Sequence, residues 1–118
     1  MFTTYNVIMT YAKTSGFGTS EQELAEFAKV FSHPARVAIL RLLAARKTCI
    51  SGDISRELPL SRTTVSQHLQ ELKKLGVIKG EVDGLNVCYC LDNDRLGEIK
   101  GKFVALLDEI TRHDPSCC

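Results

Sequence analysis

In the stretch SRTTVSQHLQELKKLGVIKG, Ser61 to Gly80, the aliphatic residues Val65, Leu69, Leu72 and Leu75 keep a helical period that stops at Gly76. The spacing predicts an amphipathic helix with one buried side and one polar side. Ser61 suits the N-cap, because its hydroxyl can accept a bond from a first-turn N–H that has no helical partner. Gly76 suits the left-handed position that closes many helices. Whatever follows must abandon the helical period, and whatever precedes must bury the apolar stripe.

The flanking segments answer both demands. Ser20 and Glu23 have capping-box spacing, and Leu24, Phe27, Ala28 and Phe31 make a stripe, predicting a first helix over roughly 21–31. In SHPARVAIL a helix restarts with Pro34 at an early position, where its missing N–H costs little. Val37, Leu40 and Leu43 continue inward, and this second helix should end near Ala45. Ile50, Ile54 and Leu58 recur every four residues, predicting a short third helix that stops before Pro59, with Leu60 and Ser61 as the turn into the fourth. A short helix, a tight turn and a second helix is a helix-turn-helix by spacing alone. After Gly76, VIKGEVDGLNVCYCLD places β-branched residues on both sides of Asp83-Gly84 and alternates Val87, Tyr89 and Leu91 against Cys88 and Cys90. That pattern predicts a β-hairpin, or wing. Asp92 or Asn93 then caps a last helix whose Leu96, Ile99, Phe103, Leu106, Leu107 and Ile110 line one broad side. A small chain with a trihelical core does not need a stripe this rich, so a homodimer interface is expected there.

The expected fold class is therefore mainly α with a small β-hairpin wing, a winged helix-turn-helix. The expected organisation is an N-terminal arm over 1–19, a DNA-binding domain with dimerisation helices over 20–111, and a flexible cysteine-containing tail over 112–118. The 118 residues, 44% of them hydrophobic, are enough for one domain with its own core. No apolar run approaches a membrane span, and the start, MFTTYNVIMTYAK, has no basic leader or small-residue cleavage site, so a soluble, cytoplasmic protein with no membrane partner is expected.

A net charge of +1 hides an uneven distribution. Residues 46–80 hold seven Lys or Arg against three acids, whereas the remainder holds eight against eleven. The middle section is the candidate footprint for nucleic acid. With Val65, Leu69 and Leu72 turned inward, the fourth helix directs Arg62, Thr63, Ser66, Gln67, Gln70 and Lys73 toward solvent, with Thr64 and His68 at the margins. Such side chains hydrogen-bond to phosphates and base edges, and a helix fits the major groove of double-stranded DNA. Ser61 and Thr63, with the first amides of the helix, can hold a phosphate. Lys79 and Asn86 on the hairpin can reach the flanking backbone or the minor groove; an ordinary solvated strand residue is the alternative for Lys79. A merely solvated polar face is the alternative for the helix taken alone, but not for a helix joined to a short preceding helix, a hairpin and local basic charge.

Together, FSHPARVAILRLL (Phe31 to Leu43), CISGDISRELPLSRTTVSQHLQELKKLGVIKGEVDG (Cys49 to Gly84) and the YCL of the second hairpin strand resemble the ArsR/SmtB family of small winged-helix transcriptional repressors. The resemblance covers about residues 21–110. It implies a homodimer on operator DNA, released by a metal ion, a metalloid or an oxidant, or lacking any switch. It makes Ser61 to Lys74 the recognition helix and Gly80 to Cys88 the wing region. It assigns the dimer contact to the first and last helices, through Leu24, Phe27, Leu96, Ile99, Phe103, Leu106 and Ile110. One departure concerns the wing: many relatives carry an arginine after the turn glycine, whereas Gly84 is followed by Leu85 and Asn86.

Five cysteines, an odd count without a secretory leader, are expected to be reduced thiols. In arsenic- and cadmium-sensing relatives a Cys-x-Cys precedes the recognition helix; here Cys49 is kept and Ser51 takes the other place. Adjacent Cys117 and Cys118, with Cys49 as a third thiol, form a candidate site for As(III), Sb(III) or another thiophilic ion, acting as an inducer and not as a required cofactor. Cys88 and Cys90 are alternative thiols, relatively open if Val87, Tyr89 and Leu91 face the core and small buried hydrophobes if the faces are reversed. The paired ligands of zinc-sensing relatives are missing around His113, and His33 is expected to serve as a helix cap.

No Cys-x-x-Cys, phosphate loop or catalytic triad is present, so no enzyme is expected. The expected function is a DNA-binding transcriptional repressor released by a thiophilic metalloid such as arsenite. The alternatives are a thiol-redox-responsive or ligand-independent repressor of the same fold, and a winged-helix protein-interaction module.

Overall fold

The structure is a computed structural model that describes residues 15–46, 50–51, 54–83, 86–112 and 116. Helix α1 runs Thr19–Ala28 and tightens into a 3-10 turn, Lys29–Phe31; α2 runs Pro34–Ala45. A two-residue strand β1, Ile50–Ser51, precedes a 3-10 turn, Ile54–Glu57, and then α3, Arg62–Lys74. Strands β2, Ile78–Asp83, and β3, Asn86–Leu91, lead to α4, Asn93–Ile110. The mainly helical architecture with an antiparallel hairpin is the winged helix-turn-helix arrangement.

Phe27, Ile39, Leu72, Val77 and Ile99 lie at the centre of one core, joined by Val65, Leu69 and Leu75 from α3 and Ile54 from the short 3-10 turn. All buried residues among those described are apolar. Every helical start is built by local chemistry. Ser61 Oγ accepts from Thr64 N–H at 3.2 Å, and Asp92 Oδ1 accepts from Arg95 N–H at 3.0 Å. His33 caps α2 through Nδ1, which accepts from Ala35 N–H at 2.9 Å, with Pro34 at the first position.

The first helix begins earlier than its capping-box spacing suggests. Its N-cap is Gly18, whose N–H donates to Glu21 Oε1 at 3.0 Å, while Glu23 instead forms an ion pair with Lys102 of α4. Phe31 is not part of the core stripe, because the 3-10 turn rotates it outward to 49% exposure.

The short third helix expected over Ile50, Ile54 and Leu58 is not formed as a helix. Ile50 pairs with Tyr89 and Ser51 with Cys88, adding β1 to the hairpin in a three-stranded antiparallel sheet of order β1-β3-β2. Among the described residues of this segment, only Ile54–Glu57 is helical, as a single 3-10 turn. Backbone groups of Ile50 and Ser51 find partners on β3, and Ile54 still reaches the core. Apolar residues four apart serve either arrangement.

The junction between α3 and β2 is a Schellman closure. Gly76, at φ 83°, donates to Lys73 O at 3.0 Å, and Val77 N–H donates to Leu72 O at 3.2 Å. Leu72 and Val77, the flanking apolar pair, are both fully buried. The start of α4 is fastened to the same point: Asp92 N–H donates to Val77 O at 2.8 Å, and Arg95 Nε donates to Leu75 O at 3.3 Å. The Arg95 guanidinium also lies over the Phe27 ring, 4.6 Å from its centroid. Helices α1, α3 and α4 therefore meet at one arginine.

Candidate nucleic-acid interface

Helix α3 packs Val65, Leu69 and Leu72 inward and leaves Arg62, Thr63, Ser66, Gln67, Gln70 and Lys73 exposed. Thr64 and His68 sit half-buried on the two margins. The exposed set is polar without a break over three turns, and it ends in Lys73 and Lys74, whose charges suit the carbonyl end of the helix. Lys74 lies 3.9 Å from Glu71, both on the surface, so this pair contributes little to stability.

Three of the residues expected at the interface are engaged in building it. The Ser61 hydroxyl donates to Thr64 Oγ1 at 2.9 Å while accepting from the Thr64 amide, so both side chains fix the first turn. His68 turns back toward α2. Arg36 Nε donates to His68 Nδ1 at 3.2 Å, and the His68 ring lies 4.5 Å from that of His33, tilted by 41°. Arg36 is itself held by the Lys29 carbonyl at 2.5 Å and by Ser32 Oγ at 3.4 Å. Burial, together with the neighbouring His33 and Arg36 charges, holds the His68 imidazole below its ordinary pKa. A neutral ring is what this geometry needs, since a proton on Nδ1 would face the Arg36 donor. Neither the His68 brace nor the Arg95 fastening at the far end of α3 is legible in the sequence; no periodicity signals a contact between residues twenty or more positions apart.

On the sheet, Lys79 is exposed on β2 and stands opposite Cys90; Asn86 pairs with Asp83 at the start of β3. Gly80 allows the strands to close over an aromatic ring: a Cβ there would meet Tyr89 Cε1 at 3.0 Å. Tyr89 and Leu91 pack on the core, so Cys88 and Cys90 occupy the other face of β3 and are half-buried. Of the alternatives for this thiol pair, the arrangement with Tyr89 and Leu91 toward the core is formed, and it leaves both thiols half-buried. Cys49, Cys117, Cys118, His113, Gly84 and Leu85 lie outside the described residues, as do residues 1–14 of the arm expected over 1–19.

The residues expected at a dimer contact divide into two groups. Phe27 and Ile99 are buried within the single chain, at 2% and 1% exposure, and form the floor beneath the face they were expected to present. Leu24, Leu96, Phe103 and Leu106 are half-buried, Ile110 is exposed, and Phe31, Val104 and Leu107 join it on the surface. An almost purely apolar groove of about 420 Å³ opens among Ala28, Phe31, Leu96, Phe103, Val104 and Leu107.

Comparison with known proteins agrees with this geometry. A helix-turn-helix domain family matches residues 31–81. An uncharacterised HTH-type transcriptional regulator of Methanocaldococcus jannaschii is 36% identical over 89 residues, spanning 75% of this chain and 96% of the relative. The cadmium resistance transcriptional regulatory protein CadC of Listeria innocua is 32% identical over 99 residues, 84% of this chain and 82% of the relative. The crystal structure of a possible transcriptional regulator for arsenical resistance superposes with a TM-score of 0.59 at 25% identity, covering 73% of this chain and 93% of the other. The chain belongs to the ArsR/SmtB family. As an ArsR-family protein it is a DNA-binding transcriptional regulator and not an enzyme, which is the class its relatives share. Among the described residues, no helix of this ArsR-family chain is long and apolar enough to cross a membrane, and no group of three or more His, Cys, Asp or Glu gathers as a metal site.

Proposed function

We propose that the chain is a homodimeric transcriptional repressor that reads operator DNA with α3 and is released by a thiophilic ion. The observation that carries the DNA reading is the division of α3 into a fully apolar inner face and an outer face of Arg62, Thr63, Ser66, Gln67, Gln70 and Lys73. Gln67 and Arg62 suit base edges, since an amide can bridge adenine and a guanidinium can bridge guanine, while Thr63, Ser66 and Lys73 suit phosphates. Ser61 and Thr64 set the first turn that presents them, and His68 braces the helix from behind. Lys79 and Asn86 extend the contact along the wing.

The homodimer is supported by the apolar surface of Phe31, Val104, Leu107 and Ile110, bordered by Leu24, Leu96, Phe103 and Leu106. Two copies joined there place two α3 helices on one duplex, as a near-palindromic site requires. The thiophilic inducer is supported by relatives named for cadmium and arsenical resistance and by five thiols in 118 residues. Arsenite, which takes three thiolates, is the specific reading, with Cys49, Cys117 and Cys118 as its ligands. The division into arm, domain and tail belongs to the same proposal, with the tail delivering its adjacent thiols.

Fluorescence anisotropy of the reduced protein on duplex from its own upstream region tests this reading. Binding at least tenfold tighter than to random duplex, lost on adding arsenite, is expected. Equal affinity for both duplexes at moderate salt would overturn the repressor, and unchanged binding with arsenite would overturn that inducer.

A further inference from the structure

We propose that Cys88 and Cys90 form a two-thiolate seat for a soft monovalent cation of the cuprous or silver type, distinct from the arsenite ligands named above. Both thiols stand on the same face of β3, which is the central strand of the sheet, and β1 and β2 fix its backbone from both sides. Their spacing selects the ligand. Residues two apart in a strand are separated by about 6.5 Å, with side chains parallel. A disulfide needs Cβ atoms about 3.5–4.5 Å apart and would force the strand to bend. A cation held in line between two sulfurs at about 2.3 Å each spans about 4.6 Å, which a modest inward lean of the two side chains provides. Glu81 stands opposite Cys88 in the register, but a carboxylate is a hard donor, so a two-coordinate soft ion held by sulfur fits better than one requiring a tetrahedral set.

Charge also bears on the seat. Binding forms two metal–sulfur bonds and releases both thiol protons, so a monovalent ion leaves a complex of charge −1. Lys79 stands directly across from Cys90 in the β2–β3 register and is exposed, on the same side of the sheet, while Glu81 stands across from Cys88. The Lys79 ammonium therefore offsets part of the negative charge that the complex and Glu81 bring to this face. Lys79 is also the wing's proposed phosphate contact, so loading the seat withdraws one basic group from DNA. That consequence rests on the repressor reading; the seat itself does not.

The test uses the full chain with Cys49, Cys117 and Cys118 changed to Ser, titrated with silver(I) against a competing chromophoric chelator. One ion per chain is expected, with two protons released and tighter binding at higher pH. Cys88→Ser or Cys90→Ser in that background should weaken binding at least 100-fold with an unchanged far-UV circular dichroism spectrum. A folded three-serine variant that takes up no silver would overturn the seat. Should that variant not fold, the double change Cys88→Ser, Cys90→Ser in the otherwise unaltered chain must lower the silver stoichiometry by one, and an unchanged stoichiometry would overturn it. Silver bound at the pair without any change in operator affinity keeps the seat and removes its link to DNA.

Discussion

Helices α3 and α4 are both amphipathic, and both bury one side in the same core, yet their outer sides are opposites. Helix α3 shows solvent arginine, threonine, serine, glutamine and lysine; α4 shows Val104, Leu107 and Ile110 at 47%, 53% and 52% exposure. Burial alone therefore says nothing about partners, because the inner faces are alike. The outer faces differ in what removes them from water: hydrogen-bond donors and charges want a polyanion with patterned edges, whereas bare aliphatics want another aliphatic surface. One chain thus presents two chemically opposite outer faces on two helices joined at Arg95.

Substitutions that invert one outer face should leave the other intact. The largest effect is expected from Val104→Asp with Leu107→Asp. A buried unpaired charge costs roughly 3–5 kcal/mol, so sedimentation or light scattering should show monomer. Operator affinity should then fall more than 100-fold while the protomer's unfolding midpoint stays nearly unchanged; a dimer that survives both aspartates would place the interface elsewhere. Next comes Arg62→Ala with Gln67→Ala, which should weaken operator binding by about 1–3 kcal/mol per lost base contact without altering the dimer. Loss of the dimer in that variant would mean that the two faces are not independent.

Arg95→Ala should act between the two. It removes the bond to the Leu75 carbonyl and the stacking on Phe27, costing about 1–2 kcal/mol of stability in denaturant melts. Lys73→Ala should lower the slope of log affinity against log salt by about one, with little change in sequence preference.

The smallest expected effect is a pH dependence. Because the folded His68 has a pKa below its ordinary value of 6.5, the unfolded chain takes the proton first as pH falls. Stability from this brace is complete above pH 6.5 and declines as pH drops toward the lowered folded value. His68→Gln should flatten that decline in urea midpoints between pH 7 and pH 5, and an identical slope in both proteins would show that the brace does not titrate there.

The parts legible in the sequence are those whose signals are local. Helix α3 announces itself through Ser61, the Val65–Leu69–Leu72 spacing and Gly76, and all three act within a few residues of where they stand. The hairpin is legible for the same reason, from alternation on both sides of Asp83-Gly84. Strand β1 is not, since two residues have no period of their own and exist as a strand only through pairing with β3, nearly forty positions away. Phe27 and Ile99 illustrate a second gap: a stripe shows that residues share a side of a helix, not whether that side closes against the same chain or another. The thiols were visible as residues, but the face they occupy was settled only by Tyr89 and Leu91 turning inward.

The Schellman closure at Gly76, with the start of α4 bonded to Val77 O and Leu75 O, makes the end of α3 a pivot. Thirteen residues of α3 extend from that pivot for about 20 Å. A tilt of about 10° there swings the opposite tip, where Arg62 and Thr63 stand, through about 3.5 Å, close to the rise of one base pair. The leverage is greatest at the end that carries Arg62, the proposed base contact, and least at the end that is fastened. If two copies join as proposed, a small rearrangement between them would reach the DNA as a displacement of a few ångströms at that tip.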